Sequence, residues 1–355
     1  MSTTSSPDAD ASGFSAVSLA RRLSRYRTPS YGRAAFEIAI TVGPLVVFWI
    51  LAWEAVRHHN WWGLALIPPS AAFLMRLFMI QHDCGHGAFL PGQRLNDWLG
   101  RALGVLTLTP YDYWRRAHAI HHATSGALDR RTIGGIDTLT VDEYRALPPL
   151  RRLGYRLYRH PAVMFGLGPA FVFLVQHRWP VSMTRDGWRP WVSTMVTNLC
   201  AAALVVSLVM VFGVMPFLLV YLPVVTLAAS MGVWLFFVQH QFEGTYWARD
   251  GVWEFHEGAF RSSSHYDLPA PLRWMTANIG IHHVHHLSSK IPYYRLGQVM
   301  RDEPSLKQAG RLTISQSLGC VSLAVWDEAA GRLISFRQMW SDVRRARANP
   351  SAVAS

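Results

Sequence analysis

The chain has 355 residues, of which 50% are hydrophobic and only 16% are charged. A soluble domain carries about 25% charged residues, so the composition points to an integral membrane protein with sizeable water-facing parts and excludes extensive disorder. Three cysteines, Cys84, Cys200 and Cys320, cannot staple a chain of this length, which excludes a disulfide scaffold; they read as reduced thiols. The net charge of +12 suits either nucleic acid or loops held against anionic lipid, and its distribution decides between them.

Residues 1–30 are rich in Ser, Thr, Ala and Asp and are expected to form a flexible tail. Arg21, Arg22, Arg25, Arg27 and Arg33 then form a basic collar before a first apolar run at residues 36–56. That run has the length needed to cross a bilayer, about 20 residues. A second run, residues 61–80, is interrupted by Pro68, Pro69 and Arg76, and the short link at His58 and His59 demands a helical hairpin. Residues 99–109 and 161–175 are apolar but short, and are expected to be interfacial or re-entrant helices. Residues 195–213 and 216–238 make a second hairpin, and the chain is polar from Gln239 onward. The expectation is an all-α integral membrane protein with four transmembrane helices in two hairpins, interfacial helices and a cytoplasmic cap. It divides into the tail (1–30), a membrane domain (31–310) and a C-terminal cytoplasmic segment (311–355).

If both hairpins enter the membrane from one side, 32 of the 34 Lys and Arg residues fall on that side. The positive-inside rule makes it the cytoplasm, and puts both termini there. The basic charge therefore needs no nucleic acid, and no zinc-finger spacing or aromatic–basic module supports one.

Three histidine clusters stand out: His82 and His86; His118, His121 and His122; His282, His283, His285 and His286. Residues four apart stack on one helix face. In the pattern H-x-x-H-H the first and second His share a face and the third turns partly away, which suits ligation of two metals by one helix. His240, in Gln239-His240-Gln241, adds a further imidazole. The first cluster follows the second span and His240 follows the fourth, while the other two clusters lie in cytoplasmic segments. All therefore fall on one face of the membrane. The expected ligands are His82, His86, His118, His121, His122, His240, His282, His285 and His286. A catalytic zinc takes about three protein ligands, so nine imidazoles suit two ions. Imidazole accepts Zn, Cu, Fe or Ni, and iron is the choice if dioxygen is used. His283 is the spare, expected as a supporting or surface residue. Asp83 is suited to orient a liganding imidazole, and Cys84 reads as a small side chain packed among ligands. Residues 111–116, including Asp112 and Trp114, are expected to anchor at the interface.

The pattern of these clusters resembles the membrane fatty acid desaturase superfamily. His82-Asp83-Cys84-Gly85-His86-Gly87 and Asn278-Ile-Gly-Ile-His282-His-Val-His-His286, with Ile291-Pro292 following, are similar to acyl-lipid desaturases of the delta-12 or omega-6 type. The words around His240 are similar to the bacterial branch, and the resemblance covers residues 35–310. It implies a non-haem di-iron, O2-dependent enzyme in the bacterial inner membrane, introducing a cis double bond into a lipid acyl chain, with oleoyl to linoleoyl as the specific expectation. Asn278 is a further candidate for supporting the ligands. The sequence has no His-Pro-Gly-Gly haem motif, so electrons are expected from a separate ferredoxin or cytochrome b5-type donor. A related hydroxylase or carotenoid ketolase is the alternative. A metal transporter fits less well, because Glu37, Glu54 and Arg76 are the few ionisable residues in the spans.

Overall fold

The computed structural model describes residues 16–131 and 133–348, so parts of the expected tail (1–15) and of the expected C-terminal segment (349–355) lie outside the described residues. Residues 16–30 were expected to be loose but are packed. Helix α1 (Ala16–Leu23) fully buries Leu19 and Leu23, and the Tyr26 hydroxyl donates to Asp302 at 2.7 Å. Ala16, Leu19 and Leu23 recur at helical spacing, a short stripe masked in the sequence by its serine-rich neighbours.

Helix α2 (Tyr31–Arg57) starts where the Ser30 hydroxyl accepts the Arg33 amide. A 3-10 turn at Trp61–Leu66 leads into α3 (Ile67–Gly85). Pro68 and Pro69 occupy its first turn, where a missing N–H breaks no helical bond, so they open the span rather than interrupt it. The chain continues through α4 (Gln93–Leu106) and α5 (Tyr111–Ala123) to strand β1 (Leu139–Thr140), then α6 (Val141–Ala146) and α7 (Pro149–Tyr158). A π-helical turn at Val163–Leu167 precedes α8 (Gly168–Leu174). Helix α9 (Trp188–Phe212), the single turn α10 (Val214–Pro216) and α11 (Leu222–His240) complete the second hairpin. Four helical segments are long and apolar enough to cross a membrane: Tyr31–Arg57, Trp61–Gly85, Trp188–Phe212 and Val214–His240. The most apolar stretch of the second is 61% buried against 11% for the third. Thus α3 is the central helix, packed on α2, α4 and α11, while α9 keeps Leu199, Val206 and Met210 on the outside.

The remainder of the chain caps one end. Helices α12 (Phe255–Arg261), α13 (Ala270–Met275), α14 (His282–Leu287), α15 (Tyr293–Asp302), α16 (Ile314–Cys320) and α17 (Phe336–Ala348) alternate with strands. Strand β2 (His265–Asp267) pairs in parallel with β3 (Arg311–Thr313). Strand β4 (Leu323–Asp327) lies between β1, parallel, and β5 (Arg332–Ser335), antiparallel. The sequence reading foresaw the mostly helical fold but not these sheets, whose strands are two to five residues long. Trp326 on β4 is buried against Leu128 and Leu333, which fixes the cap to the segment after α5.

Candidate metal centre

Helix α3 continues past its apolar stretch and carries His82 on its last turn, with His86 at its C-cap. Helix α5 carries His118, His121 and His122, α11 ends on His240, and α14 carries His282, His285 and His286. The short α14 is held by β2: the His283 amide donates to the Ser264 carbonyl at 3.2 Å, and the Tyr266 amide to the Gly280 carbonyl at 2.7 Å.

All nine sequence-expected imidazoles converge. One group comprises His82, His86, His118, His122 and His285; another comprises His121, His240 and His286. The His118 Nε2 lies 3.0 Å from that of His82, 3.1 Å from that of His86 and 3.1 Å from that of His122. The His285 Nε2 lies 3.2 Å from that of His122. In the second group His240 Nε2 is 3.1 Å from His121 Nε2 and 3.0 Å from that of His282, which joins it there. The division differs from the expected one in a specific way. His118 pairs with His122 rather than His121, and His286 falls with His282 rather than His285. Residues four apart are about 40° apart around a helix and residues three apart about 60°, so the i, i+4 pairs keep together and the remaining His crosses to the other group.

These nitrogens fit metal ions better than each other. A neutral ring nitrogen offers one proton or one lone pair, yet His118 Nε2 faces three neighbours at bonding distance. Both ring nitrogens of buried His286 lack a hydrogen-bond partner. With a metal–nitrogen bond of about 2.1 Å, two donors at right angles stand about 3 Å apart, the spacing observed. Burial, and then repulsion among neighbouring rings, holds His86, His118, His121, His122, His282, His285 and His286 well below the ordinary histidine pKa. They are therefore neutral near pH 7, as ligands must be.

The supporting residues divide. Asp83 places Oδ1 3.3 Å from His82 Nδ1. His240 Nδ1 is 3.1 Å from the Ser262 carbonyl, so its proton sits there and the Nε2 lone pair faces inward. Asn278 bonds backbone and not an imidazole: its side-chain amide donates to the Tyr293 carbonyl at 3.2 Å. His283 is not a surface residue: it is fully buried, with Nε2 3.1 Å from the Leu306 carbonyl, and faces away from both groups. Cys84 is buried, and its carbonyl accepts the Tyr111 hydroxyl at 2.8 Å. Asp112 is occupied by Arg101 at 2.9 Å. Trp114 is more than an anchor, since it stacks on His118 with centroids 4.6 Å apart.

Two cavities flank the histidines. An apolar one of about 400 Å³ runs among α3, α8 and α11, lined by Leu74, Phe78, Met164, Phe173, Val225 and Phe236, and reaches His82, Trp114, His118 and His282. A more polar one of about 360 Å³ is lined by Thr124, Asp129, Arg131, Thr138, Gln241 and Ser262, and reaches His121 and His240. Ile133, Gly135, Ile136 and Phe236 belong to both walls. Sequence reasoning had no signal for these walls, because their residues come from separate helices at unremarkable apolar positions.

Fold and site together define a membrane-associated helical protein with a buried, metal-competent histidine centre beside an apolar cavity. The family model for fatty acid desaturases matches residues 59–316. The chain is similar to a fatty acid desaturase of Bacillus subtilis (strain 168), 41% identical over 90% of each chain. It is similar also to two proteins of Synechocystis sp.: an sn-1 acyl-lipid omega-3 desaturase (ferredoxin), 30% identical over 76% of this chain and 74% of that one, and an sn-1 oleoyl-lipid 12-desaturase, 26% identical over 74% of each. The chain belongs to the fatty acid desaturase family, and its activity is accordingly that of an oxidoreductase.

Proposed function

We propose that this protein is a di-iron, O2-dependent acyl-lipid desaturase that introduces a cis double bond into a membrane acyl chain, with oleoyl lipid as the specific substrate. The observation that carries the reading is the contact between the imidazole groups and the apolar cavity: His82, His118 and His282 are part of its wall. One ion would be held by His82, His86, His118, His122 and His285, the other by His121, His240, His282 and His286. Iron held by these residues would supply the oxygen chemistry needed to remove two hydrogens from unactivated carbon. In balance, –CH2–CH2–, O2, two electrons and two protons give –CH=CH– and two waters. The electrons come from a separate one-electron donor; a ferredoxin is favoured, as one relative's name includes it.

The protein's own part is placement and exclusion. Phe78, Phe173, Val225 and Phe236 bury the acyl tail and keep bulk water away from the reacting carbons. Trp114, fixed by stacking on His118 and edge-on against Phe78 at 5.3 Å, forms a rigid wall beside the centre. Asp83 orients His82, and the Ser262 carbonyl orients His240. The polar cavity gives the centre an aqueous side, where Thr124, Thr138, Gln241 and Ser262 can hold water. The charge distribution supports a cytoplasmic histidine face and cytoplasmic termini, with the four helices crossing a bacterial inner membrane.

The test is expression in a host whose membranes lack polyunsaturated lipid, followed by fatty acid analysis. A new cis double bond supports the reading. A product retaining oxygen would reassign the chain to hydroxylation, and no product with iron bound and reductant supplied would overturn it. His121→Ala should abolish activity while the protein stays in the membrane.

A further inference from the structure

Among the described residues, nothing covers one face of helix α7. Leu150, Leu153 and Leu157 are 79%, 53% and 54% exposed, although half of such a helix lies against the cap. At 100° per residue the three fall within an arc of about 60°, with Arg151 and Arg156 roughly 90–130° to either side. The opposite face is fastened: the Tyr155 hydroxyl donates to the Ala324 carbonyl at 2.6 Å, and Arg152 to the Leu147 carbonyl at 2.8 Å. Neither Arg151 nor Arg156 has a carboxylate partner among the described residues; Arg156 bonds only the Tyr144 hydroxyl at 2.8 Å. A second exposed apolar row follows in the chain: Phe171 on α8, with Leu167 and Val175 flanking it at four-residue spacing. Helix α8 packs on α11, part of one of the four membrane-length segments, so this second row sits beside a span.

We propose that α7 is a docking surface for anionic phospholipid, lying in the headgroup layer on the histidine side of the membrane with its three leucines inserted and its arginines on lipid phosphates. Leucines pointing into the acyl boundary and arginines beside them are the arrangement of an in-plane interfacial helix, and arginine near an anionic leaflet is favoured over arginine in water. A soluble protein partner would leave unexplained the exposed apolar row on α8, next to a membrane-length segment, that follows directly in the chain. The docking has a consequence for the apolar cavity. Tyr158 at the end of α7, and Val163, Met164 and Pro169 just beyond it, are part of the cavity wall. Seating α7 sets that wall at the level of the leaflet, so that an acyl chain can enter sideways from lipid. This consequence rests on the desaturase reading; the docking itself does not.

The test uses the full chain with Cys200→Ser, because Cys200 is the exposed thiol while Cys84 and Cys320 are buried. A nitroxide is attached at Leu153→Cys, or at Ala330→Cys in the exposed turn after β4 as a water-side control. The protein is reconstituted in phosphatidylcholine vesicles with or without phosphatidylglycerol, and collision of the label with oxygen and with a polar nickel chelate is measured. The proposal expects a lipid-like ratio at position 153 and a water-like one at 330. It further expects greater depth at 153 when phosphatidylglycerol is present, and loss of that increment in R151Q/R156Q. A water-like label at 153 overturns the docking. Lipid-like depth that ignores phosphatidylglycerol overturns the anionic recognition. Neither readout depends on iron or turnover, so failure of the desaturase reading would leave both unchanged.

Discussion

Asp83 and Tyr293 stand 210 residues apart in sequence, yet the Asp83 carboxylate accepts the Tyr293 backbone amide at 2.6 Å. One end of this contact is the first histidine cluster and the other follows the third. The Tyr293 hydroxyl in turn donates to Glu37 at 3.1 Å, and Glu37 pairs with Arg76 at 2.5 Å and with Arg33 at 2.7 Å. A continuous polar chain therefore leads from His82 into the first hairpin. Asp83→Asn keeps the shape but replaces the carboxyl group beside His82 with an amide. Iron retention against a chelator should fall about 10- to 100-fold, with little change in the amount of membrane-inserted protein. Unchanged iron retention would show that Asp83 supports the backbone alone.

Arg76 is about 1% exposed and rests on Trp274, with its guanidinium 4.4 Å from the ring centroid and a bond to the Trp274 carbonyl. Removing its counter-charge should be severe. Glu37→Gln is expected to cost about 3–5 kcal/mol, because it leaves a buried cation unpaired, whereas E37L/R76L should recover most of that loss. Thermal unfolding in detergent compares the two. Equal losses would mean that packing, not charge pairing, matters at this position.

Gly232 lines the apolar cavity on α11, and a Cβ there meets nothing within 4 Å. Gly232→Leu should therefore fold and bind iron normally while obstructing the cavity. Conversion of long acyl chains should drop at least about tenfold, on the scale of a few kcal/mol for a blocked apolar site. Fatty acid profiles and iron content measured on one preparation separate the two effects; lost iron would mean that the substitution disturbed the centre instead.

Gly280 is different. A Cβ there would lie 2.5 Å from the Tyr266 carbonyl, in the contact that holds α14 on β2. Backbone cannot yield as a flexible side chain can, so Gly280→Ala should cost about 1–3 kcal/mol and lower the yield of folded protein. Gly244→Ala, where a Cβ meets nothing within 4 Å, is the neutral control. Size-exclusion yield after detergent extraction reads both.

His283 and His286 test the division within α14. His283→Phe removes the bond to the Leu306 carbonyl but no inward-facing nitrogen, so under the proposed di-iron reading the metal content should be unchanged. His286→Ala should lose iron from the second group, and elemental analysis per chain tells them apart.

The sequence alone determined the number of membrane-length helices and which histidines form the centre. Both signals are local: about 20 consecutive apolar residues register a span wherever it sits, and histidines three or four apart declare a common helix face. Even their convergence was legible, because hairpins ending at one membrane level bring His82 and His240 to the same depth. Three things were decided only in the tertiary structure. The allotment of each His to one group or the other depends on helix rotation, as His121 and His285 illustrate. The partners of Asp83, Asn278 and His283 come from chain far away or from backbone atoms that carry no sequence signature. The cavity walls and the burial of Arg76 arise where α2, α3, α8 and α11 meet, and no periodicity within one helix records which neighbour will cover it.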